Sequence, residues 1–359
     1  MQYALIYFGY AMLIAVGGST DRSILERHKP NETRMSMRQK PLTSEFGSES
    51  TAMAVIAERD LHGKTAIVTG GHSGIGLETT RALASAGAAI YVGSRDLAKA
   101  RQTLQDIAGV QVFRLDLADP VSIDQFVEQF VATRRHLDIL INNAGVSGPP
   151  DIRDARGFDT QFATNYLGHF QLTLGLWRAL KASGNARVVA LSSVGHMAGG
   201  IDFDDIQFDR RPYDKLVSYG QSKTACALFA VELDKRGAQH GIRAYAANPG
   251  AVSTNLGRYM TEEELAAWGI VRGDDDKLIM PAGFKTAEQG AATSIWCATS
   301  PKLDGIGGAY CEDCNIAELV PVDFAGLSGV RPWAVDPVAA ERLWTVSEDL
   351  LHLPSSAAD

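Results

Sequence analysis

The sequence predicts a single α/β domain: a Rossmann-type doubly wound parallel sheet of about seven strands with helices on both faces. Three observations carry this expectation. Short apolar runs alternate with helical stretches, the runs are apolar throughout instead of every second residue, and a glycine-rich turn joins the first run to the first helix. Strands covered on both faces need continuous apolar runs, and strand–helix alternation is the mark of parallel pairing.

The elements follow in order from Leu61. Thr65 to Thr69 reads as strand one, and the next helix runs from Ile75 to Ala86, with Gly87 as its stop. Ala89–Val92 is strand two, Asp96 caps a helix reaching Ile107, and Val110–Leu115 is strand three. Asp119-Pro120 opens a helix with proline in its first position. Leu137–Ile141 is strand four, Phe158–Ala182 a longer helical segment and Arg187–Leu191 strand five. Tyr219–Lys235 reads as a helix, Ile242–Ala247 as strand six, Ala287–Ala298 as a helix and Gly308–Cys311 as strand seven. The expected organisation is an N-terminal extension over 1–60, a sheet domain over 61–320, and a helical C-terminal tail over 321–359 packed on it.

Composition narrows the function classes. The 359 residues carry 34 Lys+Arg against 42 Asp+Glu, a formal charge of -8, with no basic block. The electrostatic footprint of a nucleic-acid binder is therefore missing, and no nucleic-acid partner is expected. Four cysteines in so long a chain suggest a reducing compartment and not a disulfide scaffold. Cys311 and Cys314 form a CxxC, but no second pair with zinc spacing accompanies them. They read as packing or pocket-lining residues, and no metal is expected. Tyr3–Gly18 is apolar but short of the ~20 residues of a spanning helix, and no Lys or Arg precedes it. A disordered or upstream-start extension and a cytoplasmic location are expected, with a weak membrane anchor and then a signal sequence as the lesser alternatives. Residues 19–58 show no periodicity and are expected to be unstructured.

Thr69-Gly-Gly-His-Ser-Gly-Ile-Gly76 falls between strand one and the first helix, where such folds bind phosphates. Gly70, Gly74 and Gly76 permit a sharp turn, and His72, Ser73 and Ile75 complete the loop against the helix N-terminus. Strand two ends in Gly93-Ser94-Arg95, with no carboxylate to accept ribose hydroxyls. Arg95 can pair with a 2′-phosphate, Ser94 can add a hydroxyl and His72 can assist, so NADP(H) is the expected cofactor. Asp116 and Leu117 after strand three lie beside the adenine, and Asn143-Ala-Gly145 after strand four lets the cofactor cross the strand ends.

Tyr219 and Lys223 stand at i and i+4, one above the other on a helix face. A phenol titrates near ~10 and becomes useful at neutral pH only beside a cation. Ser193, just past strand five, can hydrogen-bond a carbonyl oxygen, and the Asn165 amide can hold a water that feeds protons to Lys223. Each of these residues is weak alone; the force lies in all four coming in this order.

These motifs together resemble the short-chain dehydrogenase/reductase family over about residues 61–320. The matching pieces are TGGHSGIG at 69–76, NNAG at 142–145, Asn165, Ser193, YGQSK at 219–223 and Asn248-Pro-Gly250. The resemblance implies that Tyr219 is the proton donor and acceptor, that Ser193 polarises the carbonyl, and that Lys223 binds the nicotinamide ribose and tunes Tyr219. It also implies that Asn165 supports the proton relay, while Pro249, Gly250, Val252 and Thr254 hold the nicotinamide amide. Ser193 is preferred to adjacent Ser192 because Val-Gly follows it, as in related steroid dehydrogenases. The stretch between Ser193 and Tyr219 is longer than the family's usual spacing. It resembles the retinol dehydrogenase, WW-domain oxidoreductase and protochlorophyllide reductase branch, as do Gly93-Ser-Arg-Asp96 and Asp336-Pro to Leu351.

The segment after Thr254, through Met260, Trp268 and Ile270 to about Ala282, is expected to close the pocket. With His196 and Met197 near Ser193, its character points to a small apolar carbonyl or alcohol as substrate; a homo-oligomer is left open. No GxSxG elbow or GxxxxGK[ST] loop occurs, which argues against a serine hydrolase or P-loop enzyme. The alternative function is a non-catalytic NADP-binding regulator of the same fold.

Overall fold

The computed structural model describes residues 39–252, 259–267, 269–273 and 278–353. One sheet contains β1 (Thr65–Thr69), β2 (Ala89–Ser94), β3 (Val110–Arg114), β4 (Ile139–Asn142), β5 (Ala186–Leu191) and β6 (Ile242–Asn248), together with β9 (Ala309–Glu312) and β10 (Asn315–Ile316). Their order is β10-β9-β6-β5-β4-β1-β2-β3, and every pair is parallel except β9 with β10. A separate ribbon pairs β7 (Val271–Arg272) with β8 (Leu278–Ile279). The fold class is the expected one. The sheet gains an eighth strand, a two-residue antiparallel edge too short to show as a hydrophobic run.

Eleven helices can be labelled among the described residues: α1 (Ala52–Ile56), α2 (Gly74–Ser85), α3 (Leu97–Leu104), α4 (Pro120–Ala132), α5 (Thr160–Phe162), α6 (Gly168–Gly175), α7 (Trp177–Ser183), α8 (Lys215–Gly237), α9 (Glu262–Ala267), α10 (Ala287–Thr299) and α11 (Pro337–Leu350). Caps set several boundaries. Asp96 accepts from the Lys99 N–H, Asp119 from Val121, and Pro120 opens α4, as the sequence indicates. Helix α8 starts a turn before Tyr219, because Asp214 accepts from the N–H groups of Leu216 and Val217 at 2.8 and 3.0 Å. Tyr219 thus lies within the helix and not at its frayed start.

Strands β1, β4 and β5 are buried along their whole length. One face of the sheet packs Leu83, Ile295, Trp296, Cys297, Cys311 and Cys314 under α2 and α10. The other packs an aromatic core under α4, α6, α8 and α11. Trp344 of α11 meets Phe170 edge-on at 4.8 Å and stacks on Phe229 at 6.0 Å. Its indole N–H donates to Glu348, and Tyr166 and Ser347 share a hydrogen bond of 2.6 Å. The C-terminal helix is therefore built into the domain core.

Two expectations change. Residues 39–58 are not unstructured: α1 buries Ala52, Val55 and Ile56 against α10 and α2, and Leu42 exchanges hydrogen bonds with the Asn315 amide. The apolar run 3–18 and residues 19–38 lie outside the described residues, and among the described ones no helix is long and apolar enough to cross a membrane. The helical segment 158–182 is interrupted by a π-helical turn at Ala163–Leu167 and a break at Leu176. Cys311 and Cys314 are free, fully buried core residues, in keeping with the packing role expected of them.

Removing the Trp344 indole leaves a cavity between α6, α8 and α11. Trp344→Ala should lower unfolding free energy by about 3–5 kcal/mol, read from urea denaturation followed by circular dichroism. A loss under about 1 kcal/mol would mean that α11 is a peripheral tail.

Candidate active site

The sheet order reverses direction between β1 and β4, so their C-terminal ends part and leave a crevice. The glycine loop lies over it. Gly70 and Gly74 have φ of +65° and +52°, which L side chains avoid. At Gly76 a Cβ would stand 2.5 Å from both the Gly70 carbonyl oxygen and the Asn143 Nδ2, so only glycine lets α2 start this close. Ser73 precedes α2 with extended backbone and no side-chain cap, which leaves the helix N–H groups to face the loop. Ile75 packs with Val252 against Gly290 of α10.

Thr69 holds the two halves together. Its Oγ1 accepts the N–H groups of Asn143 and Ala144, both at 2.9 Å, and Asn143 Nδ2 donates back to the Thr69 carbonyl at 2.7 Å. His169 Nε2 lies 2.9 Å from the same hydroxyl. Neither Thr69 nor His169 stands out in the sequence as a site residue. Thr69 could have been found as the one hydroxyl ending strand one.

At the end of β2, Arg95 is exposed, beside Lys99 on the first turn of α3. His72 is half-buried, and its Nδ1 is buried without a hydrogen-bond partner among the described residues. Burial first, then the charge of Lys99 and, more weakly, that of Arg95, holds its imidazole below the ordinary value against the opposing pull of Asp96. Lys99 is a cation that the motif reading missed; its place three residues after the capping Asp96 was the available signal. Ser94 does not offer its hydroxyl to a phosphate. It is buried and donates to the Asp96 carbonyl at 3.0 Å. Asp116 accepts from the Ala118 N–H, and Leu117 is buried under Gly168, where its carbonyl leaves no room for a Cβ.

Over the gap, four side chains come together. A Cβ on Gly195 would stand 2.8 Å from Tyr219 Cε1 and 3.5 Å from Ser193 Oγ, so ring and hydroxyl converge on that glycine. Lys223 Nζ is 5.7 Å from the Tyr219 ring centroid and donates to the Leu191 carbonyl at 2.9 Å. A Cβ on Gly145 would stand 3.1 Å from Asn165 Oδ1 and 3.7 Å from Lys223 Nζ, which brings those two together on the neighbouring side. Ser192 faces away: its hydroxyl donates to the Lys223 carbonyl at 2.8 Å. Both hydrogens of the Asn165 amide are engaged, by the Val146 carbonyl at 3.0 Å and Ser222 Oγ at 2.9 Å. Its Oδ1 accepts from the Val146 N–H at 2.8 Å. Any water held there can therefore meet only the remaining Oδ1 lone pair, on the Gly145 side.

Beyond β6, Asn248 Oδ1 accepts from the Gly250 N–H at 3.1 Å, and Gly250 takes φ +81° after Pro249. Val252 pairs with Lys285 as a parallel bridge. Thr254 and Trp268 lie outside the described residues. Met260 and Ile270 belong to the segment carrying α9, which Lys215 ties to the start of α8 through Glu264 at 2.6 Å. The stretch before Tyr219 folds around Asp205, whose carboxylate accepts the N–H groups of Asp209, Arg210 and Arg211. His196 is not a pocket residue: it is fully buried, behind Ser193. Met197, beside it, is partly exposed.

A parallel sheet that parts at a glycine turn, with proton-carrying side chains gathered over the gap, is the layout of a nicotinamide-nucleotide oxidoreductase. Comparison with known proteins agrees. The family model for short chain dehydrogenases matches residues 64–265. A protein named "Probable oxidoreductase" from Streptomyces antibioticus is 45% identical over 82% of this chain and 99% of its own length. Human retinol dehydrogenase 12 is 41% identical over 82% of this chain and 88% of its own. A solved structure of an uncharacterized protein from Mycobacterium paratuberculosis aligns with TM-score 0.63 at 31% identity, covering 83% of this chain and 97% of that one. The chain belongs to the short-chain dehydrogenase/reductase family, a family of oxidoreductases that use nicotinamide nucleotides.

Burial holds the imidazoles of both His169 and His196 at about 4, below the ordinary 6.5. The folded values lie below the unfolded one, so the stability tied to neutral rings is complete above pH 6.5 and lost as pH falls toward 4. Urea midpoints should drop between pH 7 and 5, with about one proton taken up per histidine on unfolding. His169→Asn should remove about one proton from that slope; an unchanged slope would show that His169 titrates normally.

Proposed function

We propose that this chain is an NADP(H)-dependent oxidoreductase that interconverts an apolar ketone or aldehyde and its alcohol, with Tyr219 as general acid/base. The observation that carries this reading is the clustering of Tyr219 with Ser193 at Gly195 and of Asn165 with Lys223 at Gly145, the two pairs linked by Lys223 lying 5.7 Å from the Tyr219 ring. The residues present fit the cofactor. The loop is a cradle that a Cβ at Gly76 would fill, the buried Nδ1 of His72 lacks a partner, and Arg95 and Lys99 are cations where an acidic residue would favour NAD(H). Arg95, Lys99 and His72 would hold the 2′-phosphate, the α2 N-terminus the pyrophosphate, and Pro249, Gly250 and Val252 the nicotinamide end. When bound, the nicotinamide gives or takes the hydride.

The chain's own residues handle the proton. In the reductive direction the Tyr219 hydroxyl gives its proton to the carbonyl oxygen, while the Ser193 hydroxyl donates a hydrogen bond to the same oxygen as negative charge develops. The Lys223 ammonium, fixed by the Leu191 carbonyl, favours the phenolate left behind and has two hydrogens free for ribose hydroxyls. Oxidation runs these steps in reverse. The identity to retinol dehydrogenase 12 supports an extended apolar alcohol or aldehyde as the substrate class.

A panel of retinal, aliphatic aldehydes and aromatic ketones, with the matching alcohols, read by NADPH absorbance, tests the assignment. Tyr219→Phe should lower kcat by at least about 10²-fold while NADPH binding, followed by fluorescence, stays within a few-fold. Undiminished turnover in that variant would sink the mechanism, and a folded wild type that binds NADPH but turns over nothing would favour the regulator. Arg95→Ala should weaken NADPH by about 1–3 kcal/mol and leave NADH little changed. Equal losses for both nucleotides would remove Arg95 from the 2′-phosphate site.

A further inference from the structure

We infer that His169 and His196 are positioning residues of the site: two buried neutral imidazoles that hold the main-chain carbonyls of Asn165 and Ser193 from behind. The inference rests on the reading of Tyr219, Ser193 and Asn165 given above.

His169 Nδ1 lies 2.9 Å from the Asn165 carbonyl oxygen. A carbonyl only accepts, so Nδ1 carries the hydrogen and Nε2 of the neutral ring is bare. The Thr69 hydroxyl, 2.9 Å away, therefore donates to Nε2 while its oxygen accepts the N–H groups of Asn143 and Ala144. One ring thus connects the end of β1 and the Asn143–Gly145 turn to the π-helical turn that carries Asn165. The Cys226 thiol is a second donor to the same carbonyl at 3.3 Å.

His196 repeats this arrangement on the other side of Tyr219. Its Nδ1 is 2.8 Å from the Ser193 carbonyl and so carries the hydrogen, while Nε2 accepts the N–H of Arg331 at 3.2 Å. Tyr310, whose hydroxyl also lies 3.1 Å from that Nδ1, adds a second donor to the Ser193 carbonyl at 3.1 Å. The His196 carbonyl in turn accepts the Trp333 indole N–H at 2.9 Å. Neither ring is open to the crevice, at 3% and 0% exposure. Each therefore acts through the residue it holds. Displacements of about 1 Å at such residues can cost on the order of 10² in rate.

His169→Phe and His196→Phe keep a ring and lose both bonds. His→Asn at either position returns an N–H donor near the Nδ1 position. With NADPH and the best-accepted member of the carbonyl panel, each Phe variant should lower kcat at least about tenfold with KM within about threefold, and each Asn variant should recover most of the loss. Tyr219→Phe run in parallel separates the two readings. If that variant still turns over, the mechanism fails and not the positioning role. If it is dead while folded Phe variants keep wild-type kcat, the positioning role is overturned. Should the Phe variants not fold, or no panel member be accepted, ¹⁵N NMR of the wild-type imidazoles decides. Both rings must show the Nδ1–H tautomer, and an Nε2–H ring at either position refutes the assignment.

Discussion

The hydroxyl of Thr69 sits where the sheet divides, and the rest of the site depends on how it is satisfied. Two backbone N–H groups from the end of β4 point at one oxygen, and a neutral imidazole takes its hydrogen. The Asn143 N–H also reaches the Ile141 carbonyl at 3.0 Å, so the Ala144 N–H is the one that relies on this oxygen, and leaving a buried donor unmet costs about 1–3 kcal/mol. That single side chain therefore fixes the width of the crevice and the path of the Asn143–Gly145 turn. It also fixes, through His169, the turn that bears Asn165. Valine, equal in size, would fill the same space and take this partner from the Ala144 N–H and His169 Nε2.

Around this point the protein tolerates very little side-chain volume. Gly76 faces the Gly70 carbonyl, Gly168 the Leu117 carbonyl, Gly195 the Tyr219 ring and Gly145 the Asn165–Lys223 pair. Backbone approaches backbone or a side chain of the cluster at each, so Tyr219, Ser193, Asn165 and Lys223 are placed by close packing as well as by hydrogen bonds. The aromatic layer beneath α6 and α8 supplies the rigid floor: Phe170, Phe229 and Trp344 hold the helices that present Asn165 and Tyr219.

Much of this was legible in the residues themselves. Strands β1 and β4 show because each is a nearly unbroken apolar run, buried along its whole length. The starts of α3 and α4 show because Asp96 and Asp119 are strong local caps, and the glycine turn shows because its positive φ values demand that residue. What stayed hidden has tertiary causes. Helix α1 is only five residues long, and its order comes from burying Val55 and Ile56 on α10. The π turn has a partner nearby and one far away: the Asn165 carbonyl within it is met by the His169 ring four residues on and by the Cys226 thiol of α8. Ser94 looked available because sequence cannot show its hydroxyl turning to the Asp96 carbonyl. His196 looked like a pocket residue because nothing local says that Arg331 and Trp333 will cover it.

That last contact has a consequence for biosynthesis. Strands β1 to β6 and the glycine turn are complete by Asn248, so a nascent chain can form most of the sheet early. The ring behind Ser193, however, receives the N–H of Arg331 and shares its backbone with the Trp333 indole. These groups are synthesised after the glycine turn and the six strands β1 to β6. A ribosome-bound chain stopped short of them has a nearly finished nucleotide cradle beside a Ser193 loop that lacks its final anchors. The glycine turn and the anchoring of the Ser193 loop thus draw on parts of the chain made at different times.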